Sequence, residues 1–67
     1  MSADMYDVVK VSLDDGTVAL MAERKTEKSA EAIECMAVMN LGVDGHFFTS
    51  VPHGKYAEGD NYEEQQA

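Results

Sequence analysis

Two strand-like runs occupy the first third of the chain, Tyr6 to Leu13, where apolar and polar residues largely alternate, and Thr17 to Glu23, with five apolar residues between polar ends, and Asp15-Gly16 lies between them. Alternation and short apolar runs bounded by turn residues are both marks of strands, and Asp-Gly is a preferred type I′ hairpin turn. A two-residue turn there predicts Leu13 opposite Val18, Val11 opposite Leu20 and Val9 opposite Ala22, all six apolar. The alternate pairs, Ser12 with Ala19, Lys10 with Met21 and Val8 with Glu23, form a wetter face.

From Ser29 the period changes. Ala30, Ile33, Met36, Ala37 and Leu41 recur at steps of three and four, which predicts a helix over about 30–41 laid on the sheet. Ser29 is the expected N-cap, Thr26 competes with it, Glu31 sits in the favourable first turn and Gly42 supplies the stop. A short strand, His46 to Val51, follows and ends at Pro52, while His53-Gly54-Lys55-Tyr56 closes the compact part. Alternation cannot tell which of Phe47 and Phe48 enters the core.

The resulting order, strand, strand, helix, strand, predicts a two-layer α+β fold. The three-stranded antiparallel sheet has order 2-1-3 and carries one helix on the face of Val9, Val11, Leu13, Val18, Leu20 and Ala22. The other face, with Tyr6, Val8, Lys10, Ala19, Met21 and one of the two phenylalanines, is expected to stay open as a contact surface or dimer interface. Residues 1–5 are expected to be a flexible start and residues 6–56 the single domain. Residues 57–67, with four acids, no base and one large apolar residue, are expected to be a mobile acidic tail.

Composition narrows the function. At 67 residues the chain is one small domain whose thin core is too slight to enclose a deep substrate cleft, so the expectation is no enzyme and no cofactor. Thirteen acids against five bases give a net charge of −8, which repels phosphate backbones and disfavours direct nucleic-acid binding. No apolar run approaches a membrane span and no signal-peptide pattern opens the chain, so a cytosolic protein is expected.

Chemistry-bearing patterns are sparse. Cys35, His46 and His53 lack the close spacing of zinc ligands, and a lone cysteine at a helix edge packs as a small hydrophobe, so no metal site is expected. Asp14 and Asp15 read as turn formers, and Gly42, Gly45 and Gly54 punctuate loops without making a phosphate cradle.

One pattern points outward. Glu27, Glu31 and Glu34 recur along the outer helix face, where a row of negative charge is expected to point away from the sheet, and with Asp44 they make a one-signed field able to steer a basic partner. Met21 or Phe47 is the candidate apolar anchor beside them. The layout traced by Asp15-Gly16, Ser29-Ala30-Glu31-Ala32-Ile33, Gly45 and Phe47-Phe48 resembles, in size, charge and element order, the small acidic proteins with which bacteriophages inhibit host enzymes, including RNA polymerase and nucleases. That resemblance implies a non-enzymatic inhibitor or modulator docking on a basic, nucleic-acid-handling surface of a partner protein in the host cytoplasm. The alternative is a self-associating accessory protein that hides the open sheet face in a homodimer.

Overall fold

The computed structural model describes residues 4–62, which form strand β1 (Tyr6–Ser12), strand β2 (Val18–Lys25), helix α1 (Glu27–Leu41) and strand β3 (His46–Pro52). The sheet is antiparallel with order β2-β1-β3, as the sequence predicts, and α1 covers one face.

The hairpin closes two residues earlier than a two-residue turn requires. Val11 pairs with Val18 and Val9 with Leu20, leaving a four-residue loop, Leu13 to Gly16. The Asp15 carboxylate accepts the Thr17 N–H at 3.0 Å and the Gly16 N–H reaches the Ser12 carbonyl at 2.9 Å, so Asp-Gly ends the loop instead of forming its centre. Of the loop residues only Gly16 has positive φ (76°), whereas a type I′ turn needs two in succession. Leu13 therefore leaves the expected core and is 62 % exposed. A slip of two residues preserves facing, so Val9, Val11, Val18 and Leu20 still share one side.

Further along, β2 bulges. Val8 pairs with Ala22 and Tyr6 with Lys25, so extra residues of β2 are accommodated around Met21 and around Glu23 and Arg24, the latter at φ 58°. The irregularity at Arg24 is tied to Asp7, whose Oδ1 accepts the Arg24 N–H at 3.0 Å.

α1 lies on the opposite face from the one expected. Tyr6 and Ser50 line a groove with Glu27, Ala30, Glu31 and Glu34, and Met21 lines another with Ile33, Met36, Ala37, Asn40 and Leu41. The helix thus covers the side of Tyr6, Val8 and Met21. Ala30 and Ala37 are its buried residues, small enough to bring the helix close to the sheet.

The second face is closed by the end of the chain. Val9, Val11, Val18 and Val51 cluster there with Tyr56, while Leu20, Phe47 and Tyr62 pack against them. Both sheet faces are covered, so the open contact face expected from the sequence does not exist.

What holds the end of the chain is backbone pairing to the start of β2 and the loop residue just before it. Val18 N–H donates to the Asp60 carbonyl at 2.7 Å, Gly59 N–H to the Val18 carbonyl at 2.8 Å and Tyr62 N–H to the Gly16 carbonyl at 2.8 Å. Glu58 adds its carboxylate, which accepts the Leu20 N–H at 2.8 Å. The mobile tail expected from residue 57 is therefore corrected over residues 57–62, which are part of the domain; residues 63–67 lie outside the described residues, as do 1–3 of the expected flexible start.

The helix begins a turn earlier than a Ser29 cap would place it. Thr26 is the N-cap, its hydroxyl accepting the Ser29 N–H at 3.2 Å, and Gly42 at φ 76° ends the helix with its N–H on the Val38 carbonyl. Thr26→Ala is expected to cost about 1 kcal/mol of stability by urea titration, and Ser29→Ala nearly nothing.

Candidate protein-binding surface

α1 has three flanks with different chemistry. Toward the sheet it presents Ala30 and Ala37; toward β3, Glu27, Glu31 and Glu34; toward β2, Met36 and Asn40. The spacing that groups the three glutamates in sequence therefore groups them in space. They lie along the side of the helix that borders β3, not on its outermost crest.

Their groove holds about 230 Å³ and is lined also by Tyr6, Ala30 and Ser50. Glu34 is half-buried and accepts a hydrogen bond from the Ser50 hydroxyl, which anchors α1 to β3. Glu27 and Glu31 are exposed. Among the described residues no Lys or Arg side chain stands within ion-pairing distance of an acid, so none of the three glutamates is neutralised by a base. Glu27 also stands in the first turn of α1, where an acidic side chain complements the positive end of the helix dipole.

The remaining candidates do not join this surface. Asp44 is exposed in the α1–β3 loop, at the far end of the helix from Glu27. Met21 lines the groove on the β2 flank of α1. Phe47 lies on the second sheet face, edge-on to Tyr62 with ring centroids 5.4 Å apart, and is a core contributor instead of an anchor. Phe48 points the other way and meets His46 edge-on at 5.1 Å.

Sequence reasoning missed Asp7, the one buried charged residue among the described residues, which is 2 % exposed. Its carboxylate accepts from His53 Nδ1 at 2.8 Å, from the Gly54 N–H at 3.1 Å and from the Arg24 N–H at 3.0 Å. Burial pushes the Asp7 pKa up, but these hydrogen bonds and the nearby His53 outweigh it and hold the carboxyl below its ordinary value. Arg24 Nε in turn donates to His53 Nε2 at 3.3 Å. The aspartate–histidine pair looks like half of a catalytic triad, yet the ring nitrogen a nucleophile would use is occupied by Arg24. Its evident work is structural, joining the β2 bulge to the turn after β3.

No match to this chain is found among protein-family models, curated proteins or solved structures. Functional argument therefore rests on the residues. Cys35 is exposed on α1, while His46 Nε2 donates to the Gly42 carbonyl at 2.9 Å and His53 is held at the other end of β3. Among the described residues no group of three or more His, Cys, Asp and Glu side chains is arranged to hold a metal ion, and no helix is long and apolar enough to cross a membrane.

Proposed function

We propose that this chain is a non-enzymatic protein-binding module whose acidic helix flank docks on a basic surface of a partner protein, and that it acts as an inhibitor or modulator there. The observation that carries the reading is the column of Glu27, Glu31 and Glu34 in one groove with no ion-pairing base. A field of one sign raises encounter rates with an oppositely charged surface and disfavours partners of like charge. Surfaces that handle nucleic acid are the richest source of such basic patches, so a polymerase or nuclease is the partner class this chemistry favours.

Homodimerisation through an open sheet face has lost its surface, because residues 56–62 cover the side opposite α1. The partner reading is tested by capture from extract on immobilised chain with rising salt. A partner held by charge elutes at moderate salt and is not retained by a Glu27→Lys/Glu31→Lys variant. Glu34 is left intact in that variant because it also anchors the helix to Ser50. Retention unchanged by the double reversal removes the glutamate column from the mechanism.

A further inference from the structure

The other flank of α1 carries a second surface of different character. Met21, Ile33, Met36, Ala37, Asn40 and Leu41 line a groove of about 440 Å³ between β2 and the helix, with no charged side chain in its walls. Met36 is 61 % exposed and Met39, further round the helix crest, 78 % exposed. Methionine side chains are flexible and polarisable and adapt to apolar groups of varied shape.

Beyond Leu41 the groove leads to one end of the molecule. There the loop after β1 and the loop after α1 are joined by the Leu13 N–H on the Gly45 carbonyl at 2.8 Å. These loops expose Leu13 and Val43 together with Asp14, Asp15 and Asp44. α1 also ends there, with the negative end of its dipole and no basic residue in its last turn. Arg24, Lys25, Lys28 and Lys55 all lie toward the opposite end, at the close of β2, the start of α1 and the turn after β3. Lys10, in mid-sheet, is half-buried opposite Ala19 and Phe48.

We infer that this groove takes the apolar side of a cationic amphipathic helix of the partner, whose Lys or Arg side chains meet Asp14, Asp15, Asp44 and the C-terminal carbonyls of α1. The inference rests on the reading of this chain as a binder of basic partners and adds the kind of segment recognised. Charge complementarity decides the occupant. A second copy would bring another −8 chain and the same uncompensated acids to that end, whereas a cationic helix neutralises them while filling the apolar trough.

The probe is a labelled amphipathic Leu/Lys helical peptide of about 18 residues, compared with the same peptide carrying Ser for Leu. Anisotropy is expected to show saturable binding of the Leu/Lys peptide and about tenfold weaker binding of the Ser form, since one tenfold step equals about 1.4 kcal/mol. Met36→Gln and Asp44→Lys should each weaken binding several-fold while leaving the melting curve in place, because both side chains are exposed. Lys28→Gln, exposed at the start of α1 and outside the groove, should leave it within about twofold.

Equal binding of the Leu and Ser peptides, or full binding by both Met36→Gln and Asp44→Lys, overturns the groove proposal while leaving the glutamate column standing. A dimer in sedimentation that Met36→Gln dissolves also overturns it, by assigning the groove to a second copy. Failure of both the peptide assay and the capture experiment rejects the wider reading as well.

Discussion

A chain ending at Tyr56 is expected to lose its cooperative unfolding transition at 25 °C. Removing residues 57–67 strips two backbone hydrogen bonds from Val18 on the β2 edge and one from Gly16 just before it, and takes Tyr62 away from Phe47 and Tyr56. The side of the sheet bearing Val9, Val11, Val18 and Leu20 is then left facing water. A domain of 67 residues has about 3 to 10 kcal/mol of stability in total, so the loss of one covering layer consumes most of it. The milder Tyr62→Ala change should cost about 2 to 4 kcal/mol, toward the lower end for an aromatic because the ring is only half-buried. Urea titration followed by circular dichroism reads both. A 1–56 chain as stable as the whole would show that the closing segment adds nothing.

The second large effect is expected at Asp7. Asp7→Ala should destabilise by about 3 kcal/mol, because it removes the buried carboxylate that is the common acceptor of the Arg24 and Gly54 N–H groups and His53 Nδ1. Asp7→Asn keeps the shape but turns an amide donor toward donors, so it should fail nearly as badly.

The pH dependence has a defined sign. Asp7 is held below its ordinary value of 3.8 in the folded state, so its contribution is complete above the unfolded pKa and is lost as pH falls through the lower folded value. Stability of the parent chain should accordingly hold from neutrality to about pH 5 and decline in stronger acid, whereas Asp7→Asn should start lower and decline less steeply. Asp15 is also lowered, chiefly by its hydrogen bond with Thr17, but its exposed loop position leaves that small contribution equal in both chains. Parallel acid limbs for parent and variant would contradict the role given to Asp7.

Much of this architecture is written in the order of apolar and polar residues. The strands, the helix, its stop at Gly42 and the sheet order follow from alternation, helical spacing and the short connections between elements. The covered face does not, because both sides of the sheet are apolar. Val8, Ala19, Met21 and Ala22 offer a helix almost as good a seat as Val9, Val11, Val18 and Leu20.

What decides between them is the segment Ala57 to Tyr62, whose composition reads as disordered. Its attachment is mostly through main-chain groups of Gly59, Asp60 and Tyr62, and main-chain pairing leaves little trace in side-chain pattern. Asp7 escapes notice for a related reason. Its partners are two backbone N–H groups and a histidine far along the chain, so nothing in local spacing marks it. The glutamate column was legible because helical periodicity alone brings Glu27, Glu31 and Glu34 together, although which flank they occupy depends on how α1 is seated.

The most direct test of the account is the association rate of the captured partner with the parent chain and with Glu27→Lys/Glu31→Lys, measured across a range of ionic strength. The parent should associate about tenfold faster at low salt and slow steeply as salt rises, while the reversed chain should be slow throughout with a flattened salt dependence. Identical rates and identical salt slopes would contradict the claim that the acidic flank of α1 brings the partner in.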